Sequence, residues 1–153
     1  MRPVLALDLA TRTGWTYRPP NGLVRSGFVQ LPSDMVGRLQ VAEEWLAERL
    51  APLAFSKGDL VYEGGVSRFH QPFRIACHIE AVLLMTAATW GIPPERIHEV
   101  APKTVKKHAT GKGNATKAEV LAAVNERHGL QLTDDNVADS RALLDYWLDR
   151  EAG

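Results

Sequence analysis

Three groups of acidic side chains stand where acids are expensive. Asp8 closes the apolar run Val4-Leu5-Ala6-Leu7, and Glu63 closes Leu60-Val61-Tyr62 just before Gly64-Gly65. A carboxylate in a buried strand is costly unless it is paired, protonated or bound to a metal. The third group, Asp134, Asp135 and Asp139, opens the last helical stretch, with Asp135 and Asp139 four residues apart and so on one helix face. The helix dipole accounts for acids at 134 and 135. It does not account for Asp139, more than a turn in and flanked by Val137, Ala138, Leu143 and Leu144. Converging carboxylates repel one another unless a cation intervenes. Hard oxygen donors suit Mg²⁺ or Mn²⁺, and two such ions about 4 Å apart clamp the attacking and leaving oxygens of a phosphodiester. The competing account is a set of unconnected strand-end and helix-cap acids. One cysteine and scattered histidines give no zinc spacing.

The elements that must position these groups follow from the apolar pattern. Pro3–Leu9 reads as a buried strand, Trp15–Arg18 as a second after the turn at Gly14, and Leu23–Leu31 as a third after Pro19-Pro20-Asn21-Gly22. Two short turns between successive strands predict an antiparallel meander. Met35, Leu39, Ala42, Leu46, Leu50 and Leu53 predict an amphipathic helix capped by Ser33 or Asp34 and broken at Gly58-Asp59. A strand ending on Glu63, a loop over 64–72, a mostly apolar helix over 73–90 and a strand over 96–100 come next. Pro102 starts a short helix. Thr116 and Glu119 form a capping box for a helix running to Gly129, and Thr133 or Asp134 begins a last helix ending near Arg150. The order predicts an α/β mixed five-stranded sheet, a three-strand antiparallel meander plus parallel strands, flanked by helices. Ligands gather at the carboxyl ends of such strands, where Asp8 and Glu63 lie.

With 153 residues, the chain is expected to fold as one domain spanning 1–153. It shows no signal-peptide pattern and no apolar stretch of membrane-spanning length, so no membrane partner is expected. The lone Cys77 excludes an internal disulfide and fits a reducing cytoplasm. Eighteen basic and eighteen acidic residues balance, but not locally. Residues 101–117 hold five lysines (103, 106, 107, 112 and 117) and no acid, whereas 134–151 hold six acids and two arginines. Opposite fields on neighbouring segments suit a cation site beside a phosphate-binding surface, and equally suit solvated helix faces.

The Asp8-Leu9-Ala10-Thr11-Arg12-Thr13-Gly14-Trp15 turn, Tyr62-Glu63-Gly64 and Ala138-Asp139 occur in this order with a lysine-rich segment between them. That segment runs Ala101-Pro102-Lys103-Thr104-Val105-Lys106-Lys107 and on through Thr110-Gly111-Lys112-Gly113-Asn114-Ala115-Thr116-Lys117. Together they resemble the RuvC family of Holliday-junction resolvases, which have an RNase H-like fold, and look closest to its bacteriophage-type members. The resemblance runs from Leu5 to about Leu148. It implies a Mg²⁺-dependent endonuclease that resolves four-way junctions with two ions per site, Mn²⁺ substituting, in a bacterial or phage-infected cytoplasm. Asp8, Glu63 and Asp139 take the metal-ligand roles. The fourth falls on Asn136 by the cellular pattern and on Asp135 by the phage-like one; Asp135 is preferred because a carboxylate binds Mg²⁺ better than an amide, with Asp134 in reserve. Asp-Pro-Gly of many members is Asp8-Leu9-Ala10 here, and Ala-Asp-Ala-Leu is Ala138-Asp139-Ser140-Arg141, so Arg141 either repacks this segment or points toward the metal site or DNA.

The same resemblance implies that Lys106 and Lys117 contact phosphate and approach the active site, while Lys103, Lys107 and Lys112 contact the DNA backbone. Phe69 is expected to stack on a junction base, with Arg68 and Arg74 beside the DNA; Phe73 is the other aromatic at this point, on the apolar helix. Cutting two strands symmetrically calls for a homodimer, and the apolar helix over 73–90 suits both a dimer interface and a buried central helix. Rival classes are an RNase H-like nuclease acting on RNA or other branched DNA, and a junction-binding protein that does not cut. An actin-like ATPase would need a second such domain.

Overall fold

In the computed structural model, which describes residues 1–64 and 71–153 and all their side chains except those of 71–73, five strands form one sheet. The strands are β1 (Val4–Asp8), β2 (Arg12–Arg18), β3 (Arg25–Gln30), β4 (Asp59–Glu63) and β5 (Ile97–Val100), in spatial order β3-β2-β1-β4-β5. The first three form the antiparallel meander; β4 and β5 add parallel to β1. β1 is therefore central. β2 begins at Arg12 rather than at Trp15, because Arg12, Thr13 and Gly14 pair with Gln30, Val29 and Phe28, a pairing that the apolar pattern does not carry. β3 is shorter than the apolar pattern predicts.

Period-2 alternation assigns the two faces. Leu5, Leu7, Leu60 and Tyr62 pack with Leu46, Leu50 and Leu53 of α1 (Met35–Phe55) and Ile79 and Leu83 of α2 (Gln71–Thr89). Val4, Ala6, Val61 and Val100 pack instead with Val105 of α3 (Pro102–Thr110), Val120 and Val124 of α4 (Lys117–His128), and Leu143, Leu144 and Trp147 of α5 (Asp135–Ala152). Each fully buried leucine stabilises the fold by about 1.5–3 kcal/mol relative to exposure. The caps follow the sequence: Asp34 accepts from the Gly37 amide at 2.7 Å, and Thr116 and Glu119 close a capping box that starts α4. Among the described residues no helix is long and apolar enough to cross a membrane.

Candidate active site

Asp8 is the last residue of β1 and Glu63 the last of β4, and the parallel register sets them side by side. Adjacent strands lie about 4.8 Å apart, so the two carboxylates are neighbours. Both continue the rows that face α5: Asp8 follows Val4 and Ala6, and Glu63 follows Val61. The start of α5 comes down on this end of the sheet because β2 leaves room for it. Gly14 pairs with Asp8, and a Cβ there would overlap the Asn136 carbonyl. Two bonds then fix α5 to β2. Arg12 Nε donates to Asp134 Oδ2 at 2.6 Å, and Thr16 Oγ1 meets the fully buried Ser140 Oγ at 2.8 Å. Ser140 donates to the Val137 carbonyl, which leaves it to accept from Thr16.

The acids assembled here hold their protons strongly. Burial, then the charge of Asp139, pushes Asp8 up to about 7. Burial, then Asp8 and Asp139, raises Glu63 well above the usual carboxylate range. Burial raises Asp139 to about 6, with Lys117 opposing and Asp135 reinforcing the rise. The relief comes through space, from Lys117 at all three and from Lys106 at Glu63 and Asp139. Lys117 Nζ is 3.5 Å from Asp135 Oδ2. Burial lowers the Lys117 pKa, but Asp139, Asp135 and Asp8 outweigh it and the net shift is upward.

Asp134 is engaged otherwise. It is the N-cap of α5, accepting from the Val137 amide at 3.0 Å as well as from Arg12. Burial raises it, and these two bonds outweigh burial to hold it below the ordinary value. Asp135, with a partly exposed side chain, adds to the repulsion at both Asp8 and Asp139. Of the two acids, Asp135 is thus the one whose carboxylate is not tied to the helix cap.

The five lysines divide. Lys106 and Lys117 address the acids. Lys103 and Lys107 are exposed and line a separate open groove with Thr104, His108 and Tyr146. Lys112 is exposed and pairs with Glu119 at 3.3 Å. Arg74 is exposed on α2, whereas Arg68 and Phe69 lie outside the described residues, as does the side chain of Phe73. Arg141 turns to Asp145 (3.9 Å) and His128 (3.3 Å), toward α4 and its own helix rather than toward Asp8, Glu63 or Asp139. Sequence reasoning missed Arg12, Thr16 and Ser140. Arg12 left a trace in its place just after Asp8; Thr16 and Ser140 left only polar residues in otherwise apolar rows.

Among the described residues no three acidic, histidine or cysteine side chains stand close enough together to enclose an ion as placed. The donor set nonetheless fits a hard divalent cation. It is all oxygen, it is half-buried, and its members are raised by desolvation and by one another rather than neutralised by an internal guanidinium.

No protein-family model matches the chain. A stretch of 66 residues is 44% identical to the crossover junction endodeoxyribonuclease RuvC of Chlamydia muridarum (strain MoPn / Nigg), covering 40% of this chain and 37% of that protein's length. Among solved structures, T. thermophilus RuvC in complex with Holliday junction substrate superposes with a TM-score of 0.74 at 19% identity, over 99% of this chain and 97% of that one. A second Thermus thermophilus RuvC structure gives 0.70 at 18% identity, over 97% and 96%. The chain therefore has the RNase H-like fold of the RuvC structures: a mixed five-stranded sheet flanked by five helices.

Proposed function

We propose that residues 1–153 act as a single metal-dependent endonuclease domain that resolves four-way DNA junctions by phosphodiester hydrolysis. The observation that supports this most is the row Asp8–Glu63 at the ends of two adjacent parallel strands, with Asp139 above it and Lys106 and Lys117 alongside. Asp8, on the central strand, Glu63 and Asp139 would hold two Mg²⁺ (or Mn²⁺) ions, and Asp135 would complete the set or orient the water. When bound, the ions supply the Lewis acidity that activates water and stabilises the leaving 3′-oxygen. Lys106 and Lys117 temper the charge of the acids and stabilise charge developing at the phosphate. Lys103, Lys107 and Lys112 contribute backbone contacts, which give affinity and salt dependence rather than specificity. Phe69 would stack on an unpaired base, and Arg68 and Arg74 would contact the DNA.

Symmetric cutting of two strands requires two sites, so the working form is a two-fold homodimer. Its favoured contact is the outer face of α2, where Leu84 and Met85 are exposed, continued by Trp90 just beyond the helix. The sequence similarity and the junction-bound structural neighbour support a four-way junction as the substrate, ahead of RNA or other branched DNA.

The test incubates the protein with labelled four-way, forked, flap and linear DNA, with Mg²⁺ or Mn²⁺. Paired cuts near the crossover of four-way DNA are expected. No metal-dependent cutting of any branched DNA contradicts the nuclease reading, and binding without cutting identifies a junction-binding protein. At saturating Mg²⁺, Asp135→Asn is expected to abolish cutting where Asp134→Asn and Asn136→Ala retain it; loss in Asn136→Ala alone moves the fourth ligand to Asn136.

A further inference from the structure

Arg12 links three elements at the edge of the acidic site. It starts β2, four residues after Asp8; its Nε–H donates to Asp134 at the cap of α5; and its Cζ lies over the ring of Phe28 of β3, 3.5 Å from the centroid. Phe28 is paired with Gly14, which is paired with Asp8, so stack and site share one row of the sheet. Held over Phe28 and bonded through Nε to Asp134, the guanidinium is restrained by two contacts. Asp134 is held from the other side by the Val137 amide. The next residue along the chain is Asp135, and Asp139 follows one turn later.

We infer that Arg12 is a positioning residue for the metal site: by gripping the Asp134 cap it sets the first turns of α5, and with them Asp135 and Asp139, over Asp8. The Arg12 side chain is 41% exposed, so the pair adds little to global stability. Its effect is on orientation, in the way that groups bonded behind metal ligands tune affinity. The buried Thr16–Ser140 bond anchors the same helix further along, so α5 stays docked when Arg12 is lost and only its first turn gains freedom. Phe28 packs against the guanidinium, a contact that a lysine's point charge cannot reproduce.

This inference rests on the metal-site reading, and Mn²⁺ binding to the full chain without DNA separates the two. Electron paramagnetic resonance titrations would follow the wild type, Arg12→Ala, Asp134→Asn and the double variant, with Tm and metal-free junction affinity measured alongside. Asn caps a helix as well as Asp does, so Asp134→Asn removes the ion pair and spares the cap. The expected result is Mn²⁺ binding weakened about tenfold in each single variant, no further loss in the double, and little change in Tm or junction affinity. Wild-type Mn²⁺ affinity in folded Arg12→Ala overturns the clamp and leaves the metal site standing. A wild type that binds no Mn²⁺ overturns the metal site and the clamp together. If Arg12→Ala does not fold, Asp134→Asn decides: unchanged Mn²⁺ affinity there overturns the clamp.

Discussion

Asp135 and Asp139 in the first turns of α5, and Asp145 and Asp149 in its last, belong to one helix but live under opposite conditions. Asp145 is buried with His128 Nε2 at 2.7 Å, Arg127 Nε at 3.8 Å and Arg141 Nε at 3.9 Å. Arg141 Nη2 lies 3.3 Å from His128 Nδ1, so that nitrogen accepts and Nε2–H faces Asp145. Asp149 accepts two bonds from Arg127 Nη2, at 2.8 and 3.0 Å, and lies 2.9 Å from His108; the Arg127 bond foremost holds it below the ordinary carboxylate value. At the other end Asp139 is raised by burial, and Asp8 and Glu63 with it. An acid matched with a guanidinium inside the fold is doing a structural job. Asp8, Glu63 and Asp139 are instead opposed by lysines and matched with no guanidinium, which is the condition the proposed metal site requires.

Substitutions at the two ends should therefore part function from stability. Asp139→Asn should lower metal-dependent junction cutting at least about a thousandfold, some 4 kcal/mol of barrier, while the fold persists by circular dichroism. Asp145→Ala should do the reverse. It leaves Arg141 buried without its carboxylate, a loss of about 3–5 kcal/mol and a Tm lower by about 10 °C, with cutting per folded molecule retained; a stable but inactive Asp145→Ala would erase the contrast.

The pH response sharpens it further. Asp8 and Asp139 hold protons more tightly folded, at about 7 and about 6, than at their ordinary 3.8. Between these limits the folded state binds more protons than the unfolded one, so metal-free stability from this site falls as pH rises through that window and levels off above it. Mg²⁺ competes with those protons, so its stabilising effect on Tm should be larger at pH 7.5 than at pH 5. An equal effect at both would separate metal binding from these acids. The smallest change is expected for Asp149→Ala. Its pair with Arg127 is about half exposed, so Tm should fall by no more than about 3 °C and cutting should not change.

Much of this was legible from spacing. The apolar runs located all five strands, the capping box located α4, and alternation already put Asp8 and Glu63 at strand ends. Their shared face follows once the strands are parallel neighbours in register. What periodicity does not carry is pairing across distance. Arg12 and Asp134 lie 122 positions apart, and Thr16 and Ser140 lie 124 apart. Nothing local distinguishes Asp134, tied to the cap and Arg12, from Asp135, which faces Lys117 instead. Likewise the five lysines read as one basic segment until α3 and α4 bring the charges of Lys106 and Lys117 to bear on the acids and leave Lys103 and Lys107 on another groove. Arg141 was ambiguous for the same reason, since its partner His128 comes from α4.

The most direct test compares wild type with Asp8→Asn on one labelled four-way junction, measuring binding without metal and cutting with Mg²⁺. Equal binding, with symmetric cuts by the wild type and none by Asp8→Asn, is the expected result. Cutting by Asp8→Asn at the wild-type rate would remove Asp8 from the site and contradict the two-metal account.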